Sequence, residues 1–175
     1  MTDIALRGGT LIDGTGAPGR RADLGITNGR ISEIAEDVRA EDEIDASGRL
    51  VVPGFVDIHT HYDGQISWDE ELAPSSIHGG TTCAMGSCGV GFAPVRPEDH
   101  AKLIELMEGV EDIPGTALSE GITWGWESFP EYMSALDAMP HTIDFLAHVP
   151  HDALRVYVMG ERAVADEPAT EGDIA

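Results

Sequence analysis

The feature that most constrains this chain is the stretch Val51-Val52-Pro53-Gly54-Phe55-Val56-Asp57-Ile58-His59-Thr60-His61. An apolar, β-branched run bounded by Gly54 reads as a buried strand that ends in two histidines one residue apart. Side chains alternate faces along a strand, so His59 and His61 point the same way, with α-carbons roughly 6.5–7 Å apart. Two imidazoles converging from one strand end can grip a single metal ion at about 2.0–2.1 Å each. The rest of the chain is then what leads into that strand and what gathers round its end.

Residues 1 to 52 read as short strands separated by turn chemistry: Ile4-Ala5-Leu6, Thr10-Leu11-Ile12, Ala22 to Ile26 and Arg30 to Ile34, with a further turn at Ala46-Ser47-Gly48. Thr27-Asn28-Gly29 is the strongest hairpin signal, because Asn-Gly tolerates the positive φ angles of a type I′ turn. So few bulky residues make a thin sheet, half of a small β domain that needs a partner layer.

After His61 the period changes. A short helix is expected within Glu71 to His78, followed by a second buried strand, Gly79 to Met85, that ends in Gly86-Ser87-Cys88-Gly89. Pro97 opens a helix with Leu103, Ile104, Met107 and Val110 on one face. Glu111 to Gly125, broken by Pro114, Gly115 and Gly121, reads as a long loop, a place where lids occur. Ser128 and Glu131 have capping-box spacing ahead of an apolar stripe through Phe129, Tyr132, Met133, Leu136 and Met139. A third strand spans roughly Ile143 to Val149, and Arg155 to Met159 reads as another short extended run. Thr170-Glu171-Gly172-Asp173 looks like the start of a helix that the chain does not continue.

Repeated strand–helix units with a strand-end site suggest an α/β fold of parallel (β/α)8, TIM-type architecture. A whole barrel takes about 250 residues and eight strands, whereas three strands are legible in 175 residues. The expectation is the N-terminal piece of a longer protein: residues 1–52 a small β portion, residues 53–175 the first strands and helices of an incomplete barrel. The alternative is a small open α/β sheet complete in itself.

Composition narrows the partners. A formal net charge of −22, with Lys102 as the only lysine, repels nucleic acid and anionic membrane. Two cysteines make no disulfide framework, and neither a signal peptide nor an apolar run of about 18 residues is present. A soluble, cytoplasmic protein is expected, with no nucleic-acid or membrane partner; its oligomeric state is open.

Barrel enzymes carry catalytic groups at the C-terminal ends of strands, so His59, His61 and Cys88 would share one mouth. A thiolate there favours zinc over magnesium or calcium, which makes these three the candidate metal ligands. His151 and Arg155, following the third strand, are candidates for lining the substrate mouth. Asp57 is placed either to hydrogen-bond a ligand imidazole or only to support the strand end. Trp124, Trp126 and Phe129 are read chiefly as core packing, Cys83 as a small core residue. His78, His100 and His141 receive no role.

Taken together, VVPGFVDIHTH, the GGTT start of the second strand and GSCGVGFAP resemble the amidohydrolase superfamily, and Cys88 points to its N-acyl-D-amino-acid deacylase branch. The likeness extends to GGTLIDGTG near the N-terminus, which is similar to the family's β domain. The resemblance implies a metal-dependent hydrolase acting on an N-acyl-D-amino acid or related amide, on a (β/α)8 barrel with a small β-sandwich domain. It implies one or two zinc ions, with His59 and His61 at one position and Cys88 ligating the other. Later histidines and a general acid/base aspartate are expected beyond residue 175, so no catalytic residue is assigned within the chain. Gly80 departs from the β-branched residue more usual in the family. Two rivals are a cyclic-amide hydrolase of dihydropyrimidinase type, against which Cys88 speaks, and a non-catalytic interaction scaffold.

Overall fold

The computed structural model describes residues 2–175, and the chain divides into two compact units, Met1–Gly54 and Phe55–Ala175. In the first unit, β1 (Ile4–Arg7) runs antiparallel to β4 (Asp23–Thr27) and parallel to β6 (Asp42–Asp45), while β5 (Arg30–Ala35) pairs with β4. A second sheet holds β2 (Thr10–Leu11) between β3 (Arg20–Arg21) and β7 (Leu50–Val51). The β4–β5 hairpin turns through Asn28 and Gly29, both at positive φ (51° and 70°), as the Asn-Gly pair predicts.

Ile44, Leu6, Leu24 and Ile34 stand opposite one another across the four-stranded sheet. Leu24 is buried with Leu11 and Ala22 in a small core, whereas Ile34 and Ile44 at the sheet's edges stay exposed. The sheet is as thin as the sequence suggests.

The second unit is a mixed α/β body around a parallel sheet in the order β10-β9-β8, formed by β8 (Phe55–Asp57), β9 (Gly80–Met85) and β10 (Asp144–Ala147). Single 3-10 turns, Gln65–Ser67 and Ser76–His78, fill the first crossover, so the helix expected at Glu71–His78 shrinks to one turn. The second crossover carries α1 (His100–Glu111), α2 (Gly115–Gly121) and α3 (Phe129–Asp137), and α4 (His151–Met159), α5 (Glu161–Val164) and α6 (Glu171–Ile174) follow β10. Among the described residues, no helix is long and apolar enough to cross a membrane.

Two of the helices begin at side-chain caps. Ser128 and Glu131 close a reciprocal capping box on α3, with Tyr132 and Leu136 buried beneath it. Thr170 and Asp173 do the same for α6, a helix of four residues. The core joins α1 (Leu103, Met107), α2 (Leu118), α3 and α4 (Ala153, Val156) to Cys83, Met85 and Phe92. Trp126 belongs to this core and donates its indole N–H to the Phe92 carbonyl at 2.7 Å. Trp124 stacks flat on His100, ring centroids 3.8 Å apart.

Three expectations are corrected. The strand before the histidines is neither long nor buried: Leu50–Val51 belongs to the first unit, and Phe55 and Val56 are 63% and 59% exposed because β8 is the outer strand of its sheet. The loop at 111–125 contains α2; Pro114 and Gly121 bracket a helix rather than break one, and only Leu118 is buried, too little to print a period. The extended run at 155–159 is the end of α4, where burial of Ala153, Val156 and Met159 at helical spacing overrides the β preference of Val156 and Val158.

Candidate metal centre

The sheet builds the site at the ends of β8 and β9. Beyond Asp57 the chain leaves the ladder, yet Thr60 keeps it fastened: both its N–H and its hydroxyl donate to the Ala84 carbonyl at 2.8 Å. With Thr60 buried, the flanking His59 and His61 emerge together, their rings 5.4 Å apart. Asp57 Oδ1 accepts the His59 backbone N–H at 3.1 Å, which supports the strand end and leaves the His59 ring free of it.

Cys88 arrives from β9 through a tight turn. Gly86 and Gly89 have φ of +78° and +88°, and the Gly89 N–H donates to the Gly86 carbonyl. The turn is fastened on the third-strand side as well, because Gly89 accepts the Asp152 N–H at 2.8 Å. Gly80, at the start of β9, has its own reason to be glycine: a Cβ there would lie 2.9 Å from the Ser75 carbonyl oxygen.

These supports place Cys88 Sγ 2.8 Å from His59 Nε2. One ligand atom from each of His59, His61 and Cys88 lies within 4.8 Å of the others. Two imidazole nitrogens and one thiol sulfur form a donor set matched to a borderline-soft cation such as zinc and poorly matched to the oxygen-seeking calcium or magnesium. Cys83, by contrast, is fully buried, and burial pushes its thiol pKa up.

His151 sits at the first position of α4, exposed, beside Gly89 of the same turn, with Nδ1 3.3 Å from Asp152 Oδ1. Arg155 lies one turn further along α4, where its guanidinium donates to the Glu167 carbonyl at 2.9 Å and pairs with Asp166.

Two acidic residues without an assigned part also meet the site. Asp63 is 3% exposed, Oδ2 has no hydrogen-bond partner, and burial pushes its pKa up to about 7 against the Gly86 N–H and with help from the Glu111 charge. Its place two residues after His61 is the one signal the sequence offers. Glu111, the last residue of α1, places Oε1 3.4 Å from His61 Nδ1, and no local pattern announces it.

Residues 42–175 match the amidohydrolase family, and this chain belongs to it. The chain is 37% identical over 169 residues to D-aminoacylase of Alcaligenes xylosoxydans xylosoxydans, covering 94% of this chain and 33% of that protein. It is 33% identical over 170 residues to N-acyl-D-aspartate deacylase of the same organism, covering 95% and 32%. A solved D-aminoacylase, studied for its binuclear metal centre, superimposes with a TM-score of 0.80 at 35% identity, covering 99% of this chain and 34% of that one. N-acyl-D-glutamate deacylase from Bordetella bronchiseptica, complexed with zinc and a phosphonate inhibitor, gives 0.72 at 34% identity, covering 98% and 34%. The chain thus spans about a third of the length of these relatives.

Proposed function

We propose that this chain is the N-terminal part of a zinc-dependent hydrolase that cleaves the amide bond of an N-acyl-D-amino acid or a related amide. The carrying observation is the convergence of His59, His61 and Cys88 from two adjacent parallel strands, in a chain whose relatives include D-aminoacylase and N-acyl-D-aspartate deacylase. On this reading, β8, β9 and β10 are the first three strands of a (β/α)8 barrel formed from about residue 53 onward, and residues 1–52 contribute to a β-sandwich.

Bound zinc supplies Lewis acidity and lowers the pKa of a coordinated water toward about 7. The chain's own part is to hold and orient. His59 and His61 would hold the ion through imidazole nitrogens and Cys88 through its sulfur, and Thr60 locks the spacing of the two histidines through Ala84. His151, at the N-terminus of α4 beside the Cys88 turn, is the group placed to meet the substrate.

Two measurements test the proposal. Zinc analysis of the protein is expected to show bound metal, and Cys88→Ala is expected to weaken binding by more than the roughly 10–100-fold typical of losing an outer partner. Equal zinc content in the two proteins would remove Cys88 from the ligand set. Among the described residues no strand follows β10, and the 175-residue chain is expected to leave N-acetyl-D-amino acids intact with zinc present; turnover by the purified chain would overturn that expectation.

A further inference from the structure

We infer that Glu111 is a positioning residue for His61, holding its imidazole in the tautomer that presents Nε2 to the metal. The inference rests on the metal-site reading above and adds to it a residue that contacts no metal. Glu111 Oε1 lies 3.4 Å from His61 Nδ1, and the two side chains are 21% and 25% exposed, so the contact is largely withdrawn from water. A carboxylate facing Nδ1 favours the proton there, which leaves the Nε2 lone pair free. Free neutral histidine has the opposite preference, so the carboxylate sets the tautomer.

The helix itself gives Glu111 no welcome. Glu111 closes α1, at the negative end of the helix dipole, and no basic residue stands in the last turn. A carboxylate in that position opposes the dipole. The charge of Glu111 also acts unfavourably on the buried Asp63 carboxyl. Two repulsions and one attractive partner, His61, describe a residue placed for that partner. Its position is fixed from behind, since Leu103 and Met107 bury α1 in the core and the chain turns sharply at Asp112, φ +54°.

The test uses the 175-residue protein, its Glu111→Ala and Glu111→Gln variants, and Glu105→Ala as a control that removes an exposed carboxylate from the same helix. Long-range nitrogen–proton NMR of the metal-free protein is expected to show His61 protonated at Nδ1, shifting toward the Nε2–H form in Glu111→Ala. Zinc affinity, measured by chelator competition with zinc alone, is expected to fall about 10–100-fold in Glu111→Ala. Glu111→Gln, which keeps an oxygen facing Nδ1 but not the charge, is expected to lose less, and Glu105→Ala nothing. An unchanged tautomer in Glu111→Ala, or an equal loss of affinity in Glu105→Ala, overturns the inference. If the parent takes up no zinc, the metal-site reading fails, while the tautomer comparison still decides the Glu111–His61 link. Should Glu111→Ala not fold, Glu111→Leu, which keeps the bulk and removes the acceptor, carries both measurements: a tautomer and zinc affinity equal to the parent's count against the inference, and a shift in either supports it.

Discussion

Replacing Gly86 by alanine is expected to destabilise the Phe55–Ala175 unit by about 2–5 kcal/mol and to disorder the turn that carries Cys88. Two independent costs add. Gly86 has φ +78°, a region alanine enters only with strain. A Cβ built there lies 2.5 Å from the His148 carbonyl oxygen, and that neighbour is backbone, fixed where the chain leaves β10. The Gly86 N–H also supports the Asp63 carboxyl, so a displaced turn strips that buried group of a favourable contact. Urea denaturation followed by tryptophan fluorescence reads the effect, since Trp68, Trp124 and Trp126 all lie in this unit. Gly125→Ala is the comparison: a Cβ there meets nothing within 4 Å, and the midpoint is expected to move little. A Gly86→Ala protein unfolding at the parent's urea concentration would refute the argument.

The same turn shows how the sequence carries information about the site. Gly-Ser-Cys-Gly was legible because a cysteine between small residues at a strand end has few structural purposes, and the structure brings its sulfur to His59. The His59/His61 pair was legible for the same reason, although the alternation of a long strand does not produce it. Thr60, anchored on Ala84 beyond the ladder, does. Glu111 left no trace, because its meeting with His61 depends on where a helix ends far along the chain. The run from Arg155 to Met159 misled because Val156 and Val158 read as a strand in isolation, whereas Val156 and Met159 supply part of the buried face of α4 once there is a core to pack on. Local chemistry writes caps and turns into sequence directly. Contacts between distant elements leave only the apolar face, not the partner.

In the first unit, Asp23→Ala is expected to cost about 2–4 kcal/mol, a large effect for a single side chain in so small a core. Asp23 is 5% exposed. Its Oδ1 accepts the Gly8 N–H at 2.7 Å, and its Oδ2 accepts the Val38 N–H at 3.2 Å and Arg7 Nε at 3.3 Å. Arg7 is shared with Asp37 and Glu43 and keeps two carboxylates after the substitution. The backbone donors have no substitute, and Val38 is itself buried. Asparagine does not rescue the site fully, because its NH2 is a donor where Val38 or Gly8 needs an acceptor; about 1–3 kcal/mol is expected for Asp23→Asn. The Gly8 N–H, then the Val38 N–H and Arg7, hold the Asp23 pKa below the usual carboxylate range against the opposing effect of burial. A native pKa below the unfolded one contributes stability that is fully present above the unfolded value, about pH 4, and disappears as pH falls through the native value. The gap between parent and Asp23→Asn should therefore be widest near neutral pH and narrow under acid. Urea midpoints for the two proteins that stay a constant distance apart from neutral pH down to about pH 3 would show that the charge on Asp23 is not what holds this corner together.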